Sequence, residues 1–347
     1  MIDLSHLKGG RFGVFGLGRT GLAAVKALNA SGAHVVAWDD AAGLHQAAKN
    51  AGAEIADLAT RPLHDLAAIV WSPGAPFLAP KPLAAASAAR RAGVPLVSDV
   101  QLLLDAASAA TFVGITGSNG KSTTTALLGH ILEGARRKVA VGGNLGPPTM
   151  GLEMLGQDGV YVLELSSYQL ELTPRPRFDI ALLLNLEPDH LDRHAGLHGY
   201  AAAKRRIFAG EGVAIIGVDD AHGRWLAERL SRDAPECAGA RRRIVSISAE
   251  TDISGGVWAD ADHLYDAIEG PAAPVIAFTD ATALTGRHNR QNAAAAYAIA
   301  RTLGLSAAEI APALRSFPGL PHRQELARTI GHVRYVNDSK ATNAAAA

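Results

Sequence analysis

The chain has 347 residues, 48% of them hydrophobic, and Lys plus Arg equals Asp plus Glu, so its formal charge is zero. That length allows two or three domains with sizeable cores, and the balanced charge gives no sign of a nucleic-acid or acidic-membrane partner. One cysteine, Cys237, excludes an internal disulfide framework and suits a reducing compartment.

Met1 to Gly10 has no apolar signal core, and no apolar run approaches the ~18 residues needed to span a bilayer. A cytoplasmic, monomeric α/β protein without membrane insertion is expected. The first predicted strand is Arg11 to Phe15. Gly16-Leu17-Gly18-Arg19-Thr20-Gly21 follows, then an alanine-rich helix from Leu22 to about Ala30 and a strand from His34 to Trp38, ending at Asp39-Asp40. Strand, glycine turn, helix and a later acid make a nucleotide-binding βαβ unit. The pattern by itself favours a dinucleotide, but its glycines report only a tight turn beside a phosphate, and a turn with no ligand is the plainer alternative. Ala68 to Trp71 is the next apolar strand, ending in Ser72-Pro73-Gly74. Ligands in parallel sheets sit beyond the carboxyl ends of the strands, so this turn is expected to face the same crevice as the glycine turn. Pro82 to Ala92 reads as a helix, Pro95 to Val97 as a strand, and Ser98 as the cap of a helix starting at Asp99. Residues 1–99 are taken as the first domain, and alternating strands and helices argue a parallel sheet.

Residues 100–319 are taken as the second domain. Thr111 to Ile115 reads as a buried strand and Thr125 to Leu132 as a helix, with Thr116-Gly117-Ser118-Asn119-Gly120-Lys121-Ser122-Thr123-Thr124 between them. A glycine-rich turn with Lys-Ser between strand and helix is a phosphate-binding loop: its backbone N–H groups and the helix N-terminus face one anion. Lys121 would bridge the outer phosphates and Ser122 would hold Mg²⁺. The strict pattern asks for glycine where Ile115 stands.

Lys138 to Val141 is the next strand, followed by Gly142-Gly143-Asn144-Leu145-Gly146-Pro147. Tyr161 to Leu165 is apolar except for Glu164, and a carboxylate in a buried strand is costly unless paired or metal-bound. Beside a phosphate loop, Mg²⁺ coordination is the favoured reading and an ion pair the alternative. Ile180 to Leu184 leads to Asn185 and then to Glu187-Pro188-Asp189-His190-Leu191-Asp192-Arg193-His194, whose acids and imidazoles suit a metal or phosphate site or a solvated loop. Gly199 to Phe208 reads as a helix on which Lys204, Arg205 and Arg206 form, by composition, a basic solvated face. Val213 to Ile216 and Ile244 to Ile247 read as strands flanking a helix from Ala221 to Leu230, with edge hairpins around Trp258, Leu264 and Val275 to Phe278 and a basic run at Arg241-Arg242-Arg243. A helix from His288 to Leu303 carries Asn289 and Asn292 on one face, where their amides could read a base edge or cap a loop. A helix from Ala307 to Arg315 precedes the linker Phe317-Pro318-Gly319-Leu320. Residues 320–347 read as the start of a third domain, with strands at Leu326 to Thr329 and His332 to Val336, and are expected to be its truncated beginning.

The stretch Thr116 to Ser122 resembles the ATP loop of the Mur ligases, the ATP-dependent amino-acid ligases of peptidoglycan synthesis. Leu163-Glu164-Leu165-Ser166-Ser167-Tyr168-Gln169-Leu170 and Asn337-Asp338-Ser339-Lys340-Ala341-Thr342-Asn343 are similar to its D-glutamate-adding branch. The resemblance implies a Rossmann-like UDP-binding domain, a central P-loop ATPase domain and a third Rossmann-like domain. It implies ATP and two Mg²⁺ ions as cofactors, and UDP-N-acetylmuramoyl-L-alanine and D-glutamate as the partners that are joined. It places the UDP substrate at Gly18, Thr20, Gly21, Asp39, Ser72, Gly74, Asn144 and Ser166. It places ATP at Gly117, Ser118, Asn119, Gly120, Lys121, Ser122, Thr123, Asn289, Arg323, Asp338 and Lys340. Ser122, Glu164, His190 and Lys204, the last as a carbamate, become metal ligands; Lys121, Glu164, His190 and Lys204 carry the chemistry. A chain without its third domain is expected to bind the UDP substrate yet form no product. The rivals are a relative that adds alanine or polyglutamylates folate, an NAD-dependent oxidoreductase built on Gly16 to Gly21, and a non-catalytic nucleotide-binding module.

Overall fold

The computed structural model of the chain describes residues 1–78, 81–232 and 242–341; Cys237, Arg241 and the end of the Asn337–Asn343 motif lie outside them. In chain order the elements are β1 (Arg11–Phe15), α1 (Arg19–Ala30), β2 (His34–Trp38), α2 (His45–Asn50), β3 (Glu54–Ile55), β4 (Ala68–Trp71), α3 (Ala84–Ala92), β5 (Leu96–Val97) and α4 (Asp99–Ala106). Then come β6 (Thr111–Thr116), α5 (Lys121–Gly134), β7 (Lys138–Gly143), β8 (Gly159–Glu164), α6 (Ser167–Glu171), β9 (Ile180–Leu183), α7 (Leu197–Arg205), β10 (Val213–Gly217), α8 (Ala221–Arg232) and β11 (Arg243–Ser248). The last are β12 (Val257–Ala259), β13 (His263–Asp266), β14 (Ala273–Ala277), α9 (Arg287–Thr302), α10 (Ala307–Ser316), β15 (Glu325–Ile330) and β16 (Val333–Asn337). The expected α/β class holds. Two compact units are formed: Met1–Phe112 with Ala140–Phe178 and Pro188–Gly210, and Val113–Val139 with Asp179–Glu187 and Glu211–Ala347. Among the described residues no helix is long and apolar enough to cross a membrane.

In the first unit five parallel strands hydrogen-bond in the order β3-β2-β1-β4-β5. The chain crosses from one side of β1 to the other between β2 and β4, which opens a crevice beyond the carboxyl ends of β1 and β4. Ser72 N donates to Phe15 O at 2.9 Å, so the turn after β4 does lie beside the glycine turn. β1 and β4 are buried on both faces, and Phe15 stacks on Trp71 with centroids 4.2 Å apart. Truncating such a ring costs about 3–5 kcal/mol. Alanines along α3 let it approach this core closely, with Ala85, Ala86, Ala88 and Ala89 all buried.

The second unit holds a run of strands in the order β14-β13-β12-β11-β10-β9-β6. β6, β9, β10, β11 and β12 are parallel, while β13 and β14 close the edge as an antiparallel meander, as the short runs around Leu264 and Val275 suggested. α9 is buried along almost its whole length because alanines at residues 293–296, 298 and 300 admit neighbours on every side. β15 and β16 form an antiparallel hairpin.

Two helix starts and the burial of one side chain differ from the expectation in ways that bear on the site. α1 starts at Arg19, because Gly18 at its N-cap lets the turn run straight into the helix. α5 starts at Lys121, so the lysine is the first helical residue, and Ser122, Thr124 and Thr125 are buried. Lys204 is 1% exposed, so it does not belong to a solvated basic face; Arg205 alone of that trio is exposed. Arg206 turns inward too, and donates to Leu170 O at 2.8 Å and Thr173 O at 3.0 Å.

Candidate active site

In the second unit, β6 delivers the chain to Gly117 and α5 takes it away at Lys121. Gly120 has φ +82°, and a Cβ there would run into Asn292 Oδ1 and Leu184, so the loop depends on glycine at this point. Gly120 also offers no side chain to cap α5, the position at which a phosphate binds a helix. The Lys121 ammonium folds back and donates to Gly117 O at 2.9 Å and Ser118 O at 2.8 Å. Ser122 Oγ accepts from Arg323 Nη2 at 3.0 Å, which brings two residues 201 positions apart to one hydroxyl. Two cations therefore stand over the oxygens of the loop, and Thr123 is half-buried in the same helical turn.

The loop is held from behind. Ser118 Oγ donates to Glu187 O and accepts from Glu187 N, both at 2.9 Å. Asn119 N donates to Asn185 Oδ1 at 2.9 Å and Asn119 Nδ2 to Glu187 Oε2 at 3.1 Å. Asn185 Nδ2 donates to Gln291 Oε1 at 3.1 Å, and Gln291 Nε2 to Asp219 Oδ2 at 2.7 Å. Asn289 is 8% exposed, and its Nδ2 donates to Thr285 O at 3.0 Å, closing the loop ahead of α9. Its Oδ1 accepts from Asn292, which in turn accepts from Thr124 Oγ1 at 3.2 Å, linking α9 to α5. Asp338 Oδ1 accepts from Gln324 N at 3.2 Å, next to Arg323, and Lys340 is exposed.

In the first unit, Gly16 has φ +87° and lies against the Ser72 side chain, while a Cβ on Gly21 would run into Gly16 O. The turn and α1 are thus packed backbone to backbone. Asp39 fixes the turn: Oδ2 accepts from Leu17 N at 2.7 Å and Oδ1 from Ala41 N at 2.8 Å. Gly18 and Gly74 are exposed, with nothing within 4 Å of a built Cβ, and Thr20 is half-buried in the first turn of α1.

Also in the first unit, Glu164 ends β8 and is 1% exposed. Its Oε1 accepts from Asn144 Nδ2 at 2.7 Å, and its carbonyl accepts from Asn144 N at 2.9 Å. Gly143, at φ +103°, permits that approach, because a Cβ there would meet the Glu164 carbonyl. Oε2 is buried without a hydrogen-bond partner. An ionised carboxylate in that condition is destabilising, and a divalent cation on Oε2 would supply the missing partner, so the residues fit Mg²⁺. Ser166, just beyond, caps α6 in a capping box with Gln169. His190 is exposed, with φ +51°, and its ring lies 5.2 Å from Tyr168 and 6.3 Å from Tyr200. The Lys204 ammonium lies 4.7 Å from the Tyr200 ring centroid, so His190 and Lys204 flank one tyrosine. Burial pushes the Tyr168 phenol above its ordinary pKa. Among the described residues no three His, Cys, Asp or Glu side chains converge as a ready-made metal cage.

The structure thus brings Lys121, Ser122 and Arg323 together, pairs Asn144 with Glu164, and sets His190 and Lys204 around Tyr200. It adds Asn185, Gln291 and Asp219 behind the phosphate loop, and Glu171, which lies against the imidazole of His194 that the sequence reading had already grouped with His190. Gln291 carried a signal, as part of a polar opening to an alanine helix; the others pair across long stretches of chain.

Residues 115–300 match the Mur ligase middle domain family. The whole chain is 47% identical to the UDP-N-acetylmuramoylalanine–D-glutamate ligase of Rhodospirillum rubrum and covers 73% of that protein. It is 48% identical, again over all of this chain, to the enzyme of the same name from Phenylobacterium zucineum, and covers 75% of it. Among solved structures, the UDP-N-acetylmuramate:L-alanyl-gamma-D-glutamyl-meso-diaminopimelate ligase from Neisseria meningitides matches 90% of this chain and 99% of its own, with TM-score 0.57 and 22% identity. A murein peptide ligase from Psychrobacter arcticus matches 95% of this chain and 73% of its own, with TM-score 0.57 and 20% identity. At such identities these two show the shared fold alone.

Proposed function

Because the chain belongs to the Mur ligase family, in its branch of UDP-N-acetylmuramoylalanine–D-glutamate ligases, we propose that this ATP-dependent ligase joins D-glutamate to UDP-N-acetylmuramoyl-L-alanine in peptidoglycan precursor synthesis. A carboxylate is a poor electrophile, so one of its oxygens first attacks the γ-phosphorus of ATP, and ADP leaves. The amine of D-glutamate then attacks the acyl carbon, the C–N bond forms, the amine gives up a proton, and inorganic phosphate leaves with the C–O bond electrons.

The residues divide this work. Residues 1–99 take the uridine nucleotide, with Gly18, Thr20, Gly21, Ser72 and Gly74 around the diphosphate and Asp39 on the nucleotide side, and Asn144 and Ser166 contact the sugar-peptide end. Residues 100–319 hold ATP, with Gly117 to Thr123 around the phosphates and Asn289 on the base side; residues 320–347 bring Arg323, Asp338 and Lys340. The first step presses an anionic carboxylate against a triphosphate, and the ammonium of Lys121 and the guanidinium of Arg323 offset that repulsion. Both now donate to oxygens of the loop, and phosphate oxygens would replace those acceptors. Bound Mg²⁺ would supply further positive charge to the transferring phosphoryl group. Ser122, Glu164, His190 and Lys204 are the candidate ligands for two Mg²⁺ ions. Lys204 can ligate only as a carbamate, formed when its neutral amine adds to CO₂ and loses a proton, which turns it into an anionic oxygen donor.

The observation that carries this reading is the Gly117–Ser122 loop with Lys121 and Arg323 folded onto it. Calorimetry tests the branch: UDP-N-acetylmuramoyl-L-alanine is expected to bind more tightly than UDP-N-acetylmuramate, which lacks the alanine. The reverse order would point to an alanine-adding enzyme and reject the assignment.

A further inference from the structure

His194 has no part in the ligation steps above, yet its side chain has no exposed surface. Its ring packs between Tyr168, 5.3 Å away between centroids, and Tyr200, 5.4 Å away. Nδ1 lies 3.2 Å from Glu171 Oε1 and Nε2 lies 2.9 Å from Ser167 Oγ. An ionised carboxylate only accepts, so Nδ1 carries a proton; in the neutral ring Nε2 then accepts from the Ser167 hydroxyl. The other oxygen of Glu171 lies 3.6 Å from Arg193 Nη1, and the Arg193 guanidinium packs over Phe77 and Tyr168.

Each candidate cation-binding side chain of the first unit lies within four residues of His194 or of a residue its ring touches. Glu164 ends β8 just ahead of Ser167, the first residue of α6. His190 precedes His194 in one tight loop, and His194 N donates to His190 O at 3.2 Å. Lys204 follows Tyr200 by one turn of α7 and lies over its ring. The left-handed φ of His190 is strained for a non-glycine residue, so the loop needs an anchor to persist. We propose that His194 is a positioning residue that holds Glu164, His190 and Lys204 in place for cation binding by tying α6, the His190 loop and α7 together. This rests on the reading of those three residues as cation ligands.

The test titrates Mn²⁺ into the 347-residue chain saturated with adenosine 5′-(β,γ-imido)triphosphate and reads free Mn²⁺ by electron paramagnetic resonance. His194→Phe keeps a ring between the tyrosines and loses both hydrogen bonds. It is expected to weaken Mn²⁺ binding by about 10-fold, the usual size of such an effect. His194→Gln, whose amide can donate to one partner and accept from the other, is expected to recover most of that loss. Parent-like Mn²⁺ affinity in His194→Phe, with weakening in His190→Ala, would overturn the positioning role and leave the cation reading standing. Unchanged affinity in both His190→Ala and Lys204→Ala would remove the cation reading and this proposal with it. Equal losses in the Phe and Gln variants that follow melting temperature would mark a purely structural ring and also overturn it. Should His194→Phe not fold, Glu171→Gln takes its place: weakened Mn²⁺ binding supports the role and parent-like binding rejects it.

Discussion

Lys121 holds the phosphate loop together from within. Its ammonium donates to two backbone oxygens of the loop, and phosphate oxygens would be alternative acceptors for the same N–H groups. Hydrogen bonds that involve a charged group contribute about 1.5–3 kcal/mol, so Lys121→Ala is expected to weaken Mg²⁺–ATP binding by roughly 10- to 100-fold in calorimetry. Its melting temperature is expected to stay close to the parent's, because Lys121 is only half-buried at a helix start. Glu164 is the opposite case. Its Oε2 is buried without a hydrogen-bond partner, so an ionised carboxylate there opposes folding unless a cation or a proton satisfies it. Glu164→Gln keeps the shape and removes the charge. It is expected to raise the melting temperature of the ligand-free chain by a few degrees, roughly 2–4 °C for each kcal/mol gained, and to lower Mn²⁺ affinity. A lower melting temperature with intact Mn²⁺ binding would show that the carboxylate is held for structure alone.

At the scale of elements, α4 carries a buried acid at its first position. Ser98 caps the helix as its sequence predicts, accepting from Gln101 N, but Asp99 turns inward at 2% exposure. Burial raises its pKa above the ordinary value, although Thr149 Oγ1 donates to Oδ2 at 2.6 Å and works the other way. Oδ1 has no partner. A carboxyl whose folded pKa is raised binds its proton more tightly in the folded state. Its contribution to stability is therefore full below the unfolded pKa of about 3.9 and is lost as pH rises through the folded value. Asp99→Asn keeps the acceptor for Thr149 and cannot ionise. Thermal melts from pH 5 to pH 8 are expected to show the variant gaining on the parent as pH rises; a constant difference would mean that Asp99 does not ionise in that range. The legibility of the chain divides along similar lines. β1, β4, β6 and β9 could be read directly because they are apolar runs buried on both faces. α2 and β3 could not: α2 buries only Ala48, and β3 is two residues held by backbone pairing. The start of α5 is hard to place from sequence because Lys-Ser-Thr-Thr looks like loop, whereas Ser122, Thr124 and Thr125 are buried. The two glycine turns announced their chemistry through conformations that few other residues adopt. The Asn185–Gln291–Asp219 and Ser167–His194–Glu171 groups did not, since no spacing rule links residues that only the fold makes neighbours.

Over the whole molecule, two loops of the same construction are the proposed sites of two different nucleotides. Each is a strand, a glycine-dependent turn and the start of a helix, one in each compact unit. What differs is the charge around them. The turn at Gly16 to Gly21 is fixed by the carboxylate of Asp39 on Leu17 N, whereas the loop at Gly117 to Ser122 is covered by Lys121 and Arg323. A site carrying two cations suits the triphosphate, and one shaped by an acid suits a less charged diphosphate ester. The two sites are accordingly expected to fail separately. Gly21→Ala drives a Cβ into Gly16 O and is expected to weaken UDP binding at least about 10-fold while leaving ATP affinity within about threefold. Lys121→Ala is expected to do the reverse. NADH is expected to show no change in nicotinamide fluorescence with either variant or the parent, since a dinucleotide has no place in this division. Calorimetric titration of UDP and of Mg²⁺–ATP into the parent and both variants decides the matter. If Gly21→Ala weakens both nucleotides alike while the chain remains folded, or if UDP competes with ATP in the parent, the two loops do not sort nucleotides in this way.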